Sequence, residues 1–275
     1  MSVSGTETVE GHFPNAATPE GSAAYYAVRF SAEPLRDALA RRFAWRAELE
    51  RIVEHASDPG VARLKLDWWR DELQRARQDA PRHPLAEALA ADLATAPSLD
   101  AWLATIDAAE GRILKRQPDT TAEFAAQCTA AGGSLGEILA QASGSPGNRE
   151  LDLARTFGTY AEAVWRIRDL ALHLRRQWCP LPAELLGQAG LAPDRLHESR
   201  HHDALAKCLA LLLAPLEPLA ADYRAARRTA ASPAARLAAQ ASVLHRATAR
   251  AGYPVMHRRV EVAPLRLLWA AWRSP

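Results

Sequence analysis

Glu50 and Glu54 lie four residues apart in "RFAWRAELERIVEHASDPG", and Asp169 and His173 lie four apart in "RIRDLALHL". On an α-helix, residues at that spacing share a face. Acid pairs on two facing helices can hold Mg²⁺ in an all-helical pocket, because Mg²⁺ takes oxygen ligands and completes its octahedron with a bound diphosphate. Glu50, Glu54 and Asp169 are therefore candidate metal ligands. His173 suits Mg²⁺ poorly, being a nitrogen donor. The alternative is an ordinary solvated helix face, with Arg51 and His55 as its surface charge.

The elements that must position these residues are helices. Ala, Leu, Arg and Glu dominate from Ala23 onward, and all are good helix formers. The pattern predicts helices at about 23–30, 33–55, 59–79, 83–94, 98–115, 120–143, 149–177, 182–188, 202–228, 232–250 and 259–272. The breaks fall on cap and turn sequences such as "SDPG" (57–60), "QPDT" (117–120) and "SGSPGN" (143–148). No strand-type run and no internal repeat stands out. The expectation is one all-α domain over 21–275, after a flexible N-terminal segment at 1–20.

Bulk properties narrow the function. Thirty-four Lys and Arg against 32 Asp and Glu leave a net charge of +2, which gives no argument for nucleic acid. Cys128, Cys179 and Cys208 are scattered, which suits a reducing compartment. The N-terminus lacks the basic and apolar regions of a signal peptide, and no apolar run reaches a membrane span. A cytoplasmic protein is expected, peripheral at most to the inner membrane. Trp68 and Trp69 read as packing residues, and "HESRHHD" (197–203) reads as a solvated cap rather than a zinc site. The closing helix mixes Leu265, Leu268, Trp269 and Trp272 with Arg266 and Arg273. That pattern suits bundle packing, or contact with a protein partner or an anionic membrane surface.

Taken in order, several stretches resemble the squalene/phytoene synthase family. They are "GSAAYYAVRFSAEPLRDALARRFAWR", "SDPGVARLKLDWWRDEL" with the following "HPLAEAL", "FAAQCTAAGGSLGEIL", "RDLALHLRRQWCPLPAELLGQAGL" and "ARAGYPVMHRRVEVAPLRLLW". The resemblance covers about 21–272. It implies the isoprenoid synthase fold, an all-α bundle around a central apolar pocket, and Mg²⁺-dependent head-to-head joining of two prenyl diphosphates. It makes Arg46 and Arg168 the diphosphate-binding arginines. It places Tyr26, Ala130, Leu135, Ala161 and Trp165, with Ala23 and Ala24, around the pocket.

The departures fall where that chemistry would occur. Aligned through Ser57-Asp58-Pro59, the two aspartates of the family's first motif become Glu50 and Glu54; aligned through Arg46, they become Leu49 and Val53. In the second motif Asp169 matches, the later acidic positions are Leu172 and His173, the asparagine is Trp165 and the glutamine is Glu162. The family's Gly-Arg-x-Tyr is Gln177-Trp178-Cys179-Pro180. "WRAEL" also resembles the complex I assembly factor that shares this fold. The leading expectation is thus a non-catalytic protein that binds an isoprenoid or quinone-type lipid or assists respiratory-complex assembly. The rival is an active prenyl transferase, with Mg²⁺ on Glu50, Glu54 and Asp169 and diphosphate on Arg46 and Arg168. A helical protein with a filled pocket and a purely structural role is the third.

Overall fold

Side-chain caps start several of the helices. In the computed structural model, which describes residues 11–55 and 58–274, Ser22 accepts from the Tyr25 N–H and opens α1 (Ala23–Arg29). After α2 (Arg36–Glu54), Asp58 accepts from Val61 N–H and opens α3 (Pro59–Arg77). The His83 ring accepts from Leu85 N–H and opens α4 (Pro84–Thr95). Next come α5 (Asp100–Ile113) and α6 (Thr121–Cys128), the latter capped by Thr120. A π-type turn (Thr129–Gly133) leads into α7 (Ser134–Ala140). Helix α8 (Asn148–Arg168) crosses the molecule, followed by α9 (Leu170–Arg175) and α10 (Ala183–Gln188). The chain closes with α11 (His202–Leu213), α12 (Ala220–Ala225), α13 (Ser232–Arg250) and α14 (Pro264–Arg273). Among the described residues there is no strand, so the fold is all-α, as expected.

Helix α8 lies at the centre, packed on α13, α7 and the π turn. Its crossing with 129–140 is backbone on backbone. A Cβ on Gly158 would sit 2.0 Å from the Gly132 carbonyl oxygen, and one on Gly136 would sit 2.1 Å from that of Ala154. Only glycine permits an approach this close.

The apolar interior divides into two clusters rather than one core. One gathers α1, the start of α2 and most of α6–α13. The other gathers the rest of α2 with α3, α4 and α5, and includes an edge-on Trp45–Trp102 pair at 4.7 Å. Arg42, 2% exposed, bolts the two together. Its Nε donates to the Ile138 carbonyl at 2.9 Å, and its Nη1 donates to Asp92 at 3.0 Å and to the Ala38 carbonyl at 2.8 Å. A buried guanidinium is tolerable when it is hydrogen-bonded and paired in this way.

Several boundaries differ from expectation. The helix expected at 149–177 stops at Asp169, which leaves helical geometry. The stretch 202–228 is interrupted by Pro215 and Pro218, which end α11 and set off α12. The last helix begins at Pro264 rather than 259. Residues 11–20, expected to be part of a flexible segment, form a strap across α2. Asn15 is 6% exposed and donates to the Ala40 carbonyl at 3.1 Å, and Phe13 stacks on Tyr25 at 5.2 Å. Residues 1–10 lie outside the described residues, as do 56 and 57 in the turn before α3. The three cysteines are unpaired.

Candidate functional site

The i, i+4 spacing of α2 brings the Arg46 Nη2 to 2.6 Å from a Glu50 oxygen. Arg112, from the last turn of α5, holds the other Glu50 oxygen at 2.5 Å. Across the gap, α8 repeats the pattern with Glu162 and Arg166, whose Nε donates at 2.7 Å. Arg46 also faces Glu162 at 3.9 Å. The result is a chain of alternating charge over three helices, Arg112–Glu50–Arg46–Glu162–Arg166. Burial alone would raise the Glu50 carboxyl, but Arg112 and then Arg46 outweigh it and hold it at about 2. Glu162 is held down in the same way, by Arg166 and then Arg46 against its burial.

Trp178 roofs this chain. It is 4% exposed, and the Arg112 and Arg166 guanidinium carbons lie 5.5 and 5.4 Å from its ring centre, within cation–π range. Its indole N–H donates to the Arg116 carbonyl at 3.1 Å. His173 meets its edge at 4.8 Å. Burial, reinforced by Arg112, lowers His173 to about 4, so its ring is neutral at pH 7.

Asp169 is placed apart from Glu50, at the α8–α9 break. Arg168 donates to it at 2.9 and 2.5 Å, and Arg259, from the segment before α14, donates at 2.8 Å. Its burial is outweighed by Arg168 and then Arg259, which lower its carboxyl. Glu54 stands half exposed with Arg176 at 3.2 Å. Among the described residues, no three His, Cys, Asp or Glu side chains gather as a metal site would need. The donor set does not fit a Mg²⁺ cage, because each candidate carboxylate already binds a guanidinium, a strong charge-assisted partner.

The residues expected around a pocket are largely interior packing. Tyr26, Leu135 and Ala161 are 8%, 8% and 1% exposed within the larger apolar cluster, and Trp165 packs against it. Ala130 lines a cavity of 250 Å³ beside Arg112, Arg166 and Trp178. The larger space is elsewhere: a cleft of 620 Å³ along α9, walled by Ala171, Leu174, Cys179 and Met256, with Lys115 and Arg175 in its lining. A neighbouring pocket of 250 Å³ gathers Arg168, Arg175, Arg258 and Arg259 around Asp169.

The squalene/phytoene synthase sequence profile matches residues 18–266. The chain belongs to the squalene/phytoene synthase family. Among curated proteins, none matches it by sequence. Among solved structures it is similar to the squalene synthase HpnC from Alicyclobacillus acidocaldarius, with TM-score 0.72 and 21% identity over 86% of this chain and 92% of that one. It is also similar to a dehydrosqualene synthase in complex with ligand, with TM-score 0.71 and 14% identity over 90% and 89%. At these identities the likeness is one of fold. Within this family member, sequence reasoning found the acids but missed Arg112, Arg166 and Trp178 as their partners. The i, i+4 pair Glu162–Arg166 was the visible signal.

Proposed function

We propose that this squalene/phytoene synthase family member is non-catalytic, and that it holds an isoprenoid or quinone-type lipid or serves in respiratory-complex assembly. The reading places it in the cytoplasm, peripheral to the inner membrane; no helix among the described residues is long and apolar enough to cross a membrane. The observation that carries the reading is the double clamp on Glu50, with Arg46 on one carboxylate oxygen and Arg112 on the other. Ionising a prenyl diphosphate needs free cationic charge at the leaving group, and here the arginine charge is engaged by Glu50 and Glu162. The cleft along α9, where Ala171, Leu174, Pro193 and Met256 alternate with polar residues such as Gln117 and His197, is the space that supports a lipid tail with a polar end.

The rival reading is a head-to-head prenyl transferase using Mg²⁺ on Glu50, Glu54 and Asp169 and diphosphate on Arg46 and Arg168. The pocket with four arginines around Asp169 favours it. Two measurements separate the readings. Lipid carried through purification is extracted and identified by mass spectrometry, and melting is followed with Mg²⁺, a prenyl diphosphate, and both. A neutral isoprenoid or quinone, with no joint effect of Mg²⁺ and diphosphate on melting, supports the binding protein. A bound prenyl diphosphate or joined hydrocarbon supports the enzyme, as does a joint shift that disappears in Glu50→Ala/Asp169→Ala. Ligand at a hundredfold excess over Kd stabilises by about 2.7 kcal/mol, which melting readily detects.

A further inference from the structure

Helix α14 is apolar on both faces, and three of its large apolar side chains point outward. Ala271 is fully buried, and Leu267, Leu268 and Ala270 are half-buried, where the helix packs against α13 and α1. Leu265, Trp269 and Trp272 are 77%, 52% and 62% exposed. Their i, i+4, i+7 spacing makes them one stripe. A helix facing only water on its outer side carries polar residues there. Arg266 and Arg273, both exposed and seven residues apart, run along one edge of the stripe, and the Arg273 guanidinium lies 4.6 Å from the Trp269 ring centre.

The charge along the closing segment is mostly positive. Helix α14 contains no acid, and residues 250–273 hold five arginines against the single Glu261. A short helix with Trp and Leu on its outer face and Arg at the edge matches the boundary between lipid headgroups and acyl chains. There the indoles bury their rings while the arginines reach phosphate.

We propose that α14 is an interfacial helix that docks this protein on an anionic bilayer surface, with Leu265, Trp269 and Trp272 inserted and Arg266 and Arg273 at the phosphates. The proposal goes beyond the ligand reading above and stands whether or not a lipid occupies the α9 cleft.

Co-sedimentation of the full chain with phosphatidylcholine vesicles, and with equal mixtures of phosphatidylcholine and phosphatidylglycerol, tests it. Binding to the mixed vesicles that weakens with salt is expected. Trp269→Ala/Trp272→Ala should weaken that binding by about tenfold or more. Arg266→Glu/Arg273→Glu, which keeps the stripe, should abolish the preference for anionic lipid. Removing the exposed Val61 and Leu64 of α3 as Val61→Ala/Leu64→Ala should change nothing, which controls for general stickiness. Absence of vesicle binding, equal binding to neutral and anionic vesicles, or α14 variants that bind like the parent would each overturn the proposal. So would a dimer in gel filtration that dissociates in Trp269→Ala/Trp272→Ala without any vesicle binding, because a second copy would then cover the stripe.

Discussion

Arg112 and Glu50 come from helices 62 residues apart in sequence and meet at 2.5 Å. This contact turns an acidic helix face into a closed ion pair. It ties α5 to α2, and Arg46 carries the charge chain on from Glu50 to Glu162 of α8.

Glu50→Gln should therefore lose stability at neutral pH and lose less at acid pH. The folded carboxyl titrates at about 2 against an ordinary 4.5. A depressed acid contributes stability that is fully present above the unfolded value and disappears as pH falls through the folded one. With some solvent reaching the group, the deficit of the variant at pH 7 should be roughly 2 kcal/mol. It should shrink between pH 4.5 and 2. Urea midpoints of parent and variant across that range check it.

His173 gives a second pH signature, in a different window. Its folded value, lowered by burial and then by Arg112, is about 4 against 6.5. The unfolded chain takes up the proton first, so stability is present above 6.5 and declines as pH falls toward 4. In His173→Gln the loss of stability between pH 6.5 and 4 should be smaller than in the parent.

Gly158→Ala should destabilise by about 3 kcal/mol, because its new methyl meets the Gly132 backbone at 2.0 Å and neither helix can yield. Gly187→Ala is the contrast. Nothing lies within 4 Å of its Cβ, and within α10 the change should stabilise by up to about 1 kcal/mol. Thermal or chemical unfolding of the two variants measures the difference.

Much of this was legible in the sequence, and the rest was not, for physical reasons. Helix α13 is found at 232–250 as expected, because Pro233 fixes its start and Gly252 its end. The π turn at 129–133 was hidden, since "TAAGG" reads as plain helix until Gly132 and Gly158 come together. Glu50 and Asp169 were visible as acids with Arg46 and Arg168 near them, but their distant arginine partners were not. Arg112 and Arg259 lie 62 and 90 residues away, and the arginine next to an acid in sequence does not disclose which one will reach it in space. Of the residues expected around the pocket, Ala130 lines a cavity while Ala161 and Leu135 are packed, for a related reason. Ala161 and Leu135 are as suited to tight packing as to lining a cavity, and the glycine crossing decided for packing.

Tyr253→Phe should cost about 1–2 kcal/mol in chemical unfolding. The His245 ring is hydrogen-bonded at Nδ1 to the Tyr160 hydroxyl, 2.9 Å, and at Nε2 to the Tyr253 hydroxyl, 3.0 Å. All three residues are buried, so removing one hydroxyl strands a ring nitrogen where no bulk water reaches it.

The five-residue charge chain beneath Trp178 also bears on which substitutions the site can accept. Its three arginines and two glutamates depend on each other in pairs. Removing one partner of a buried pair typically costs 3–5 kcal/mol, a large share of a domain's whole stability. Freeing Glu50 for a metal would strip Arg112 and Arg46 of their close partner, and removing those arginines first would strand Glu50, while Glu162 would keep Arg166. Changing the charge pattern of this site would thus require several coordinated replacements, each harmful alone. The arrangement behaves as an interlock: a single substitution at Glu50 leaves the charges of both Arg46 and Arg112 short of a partner.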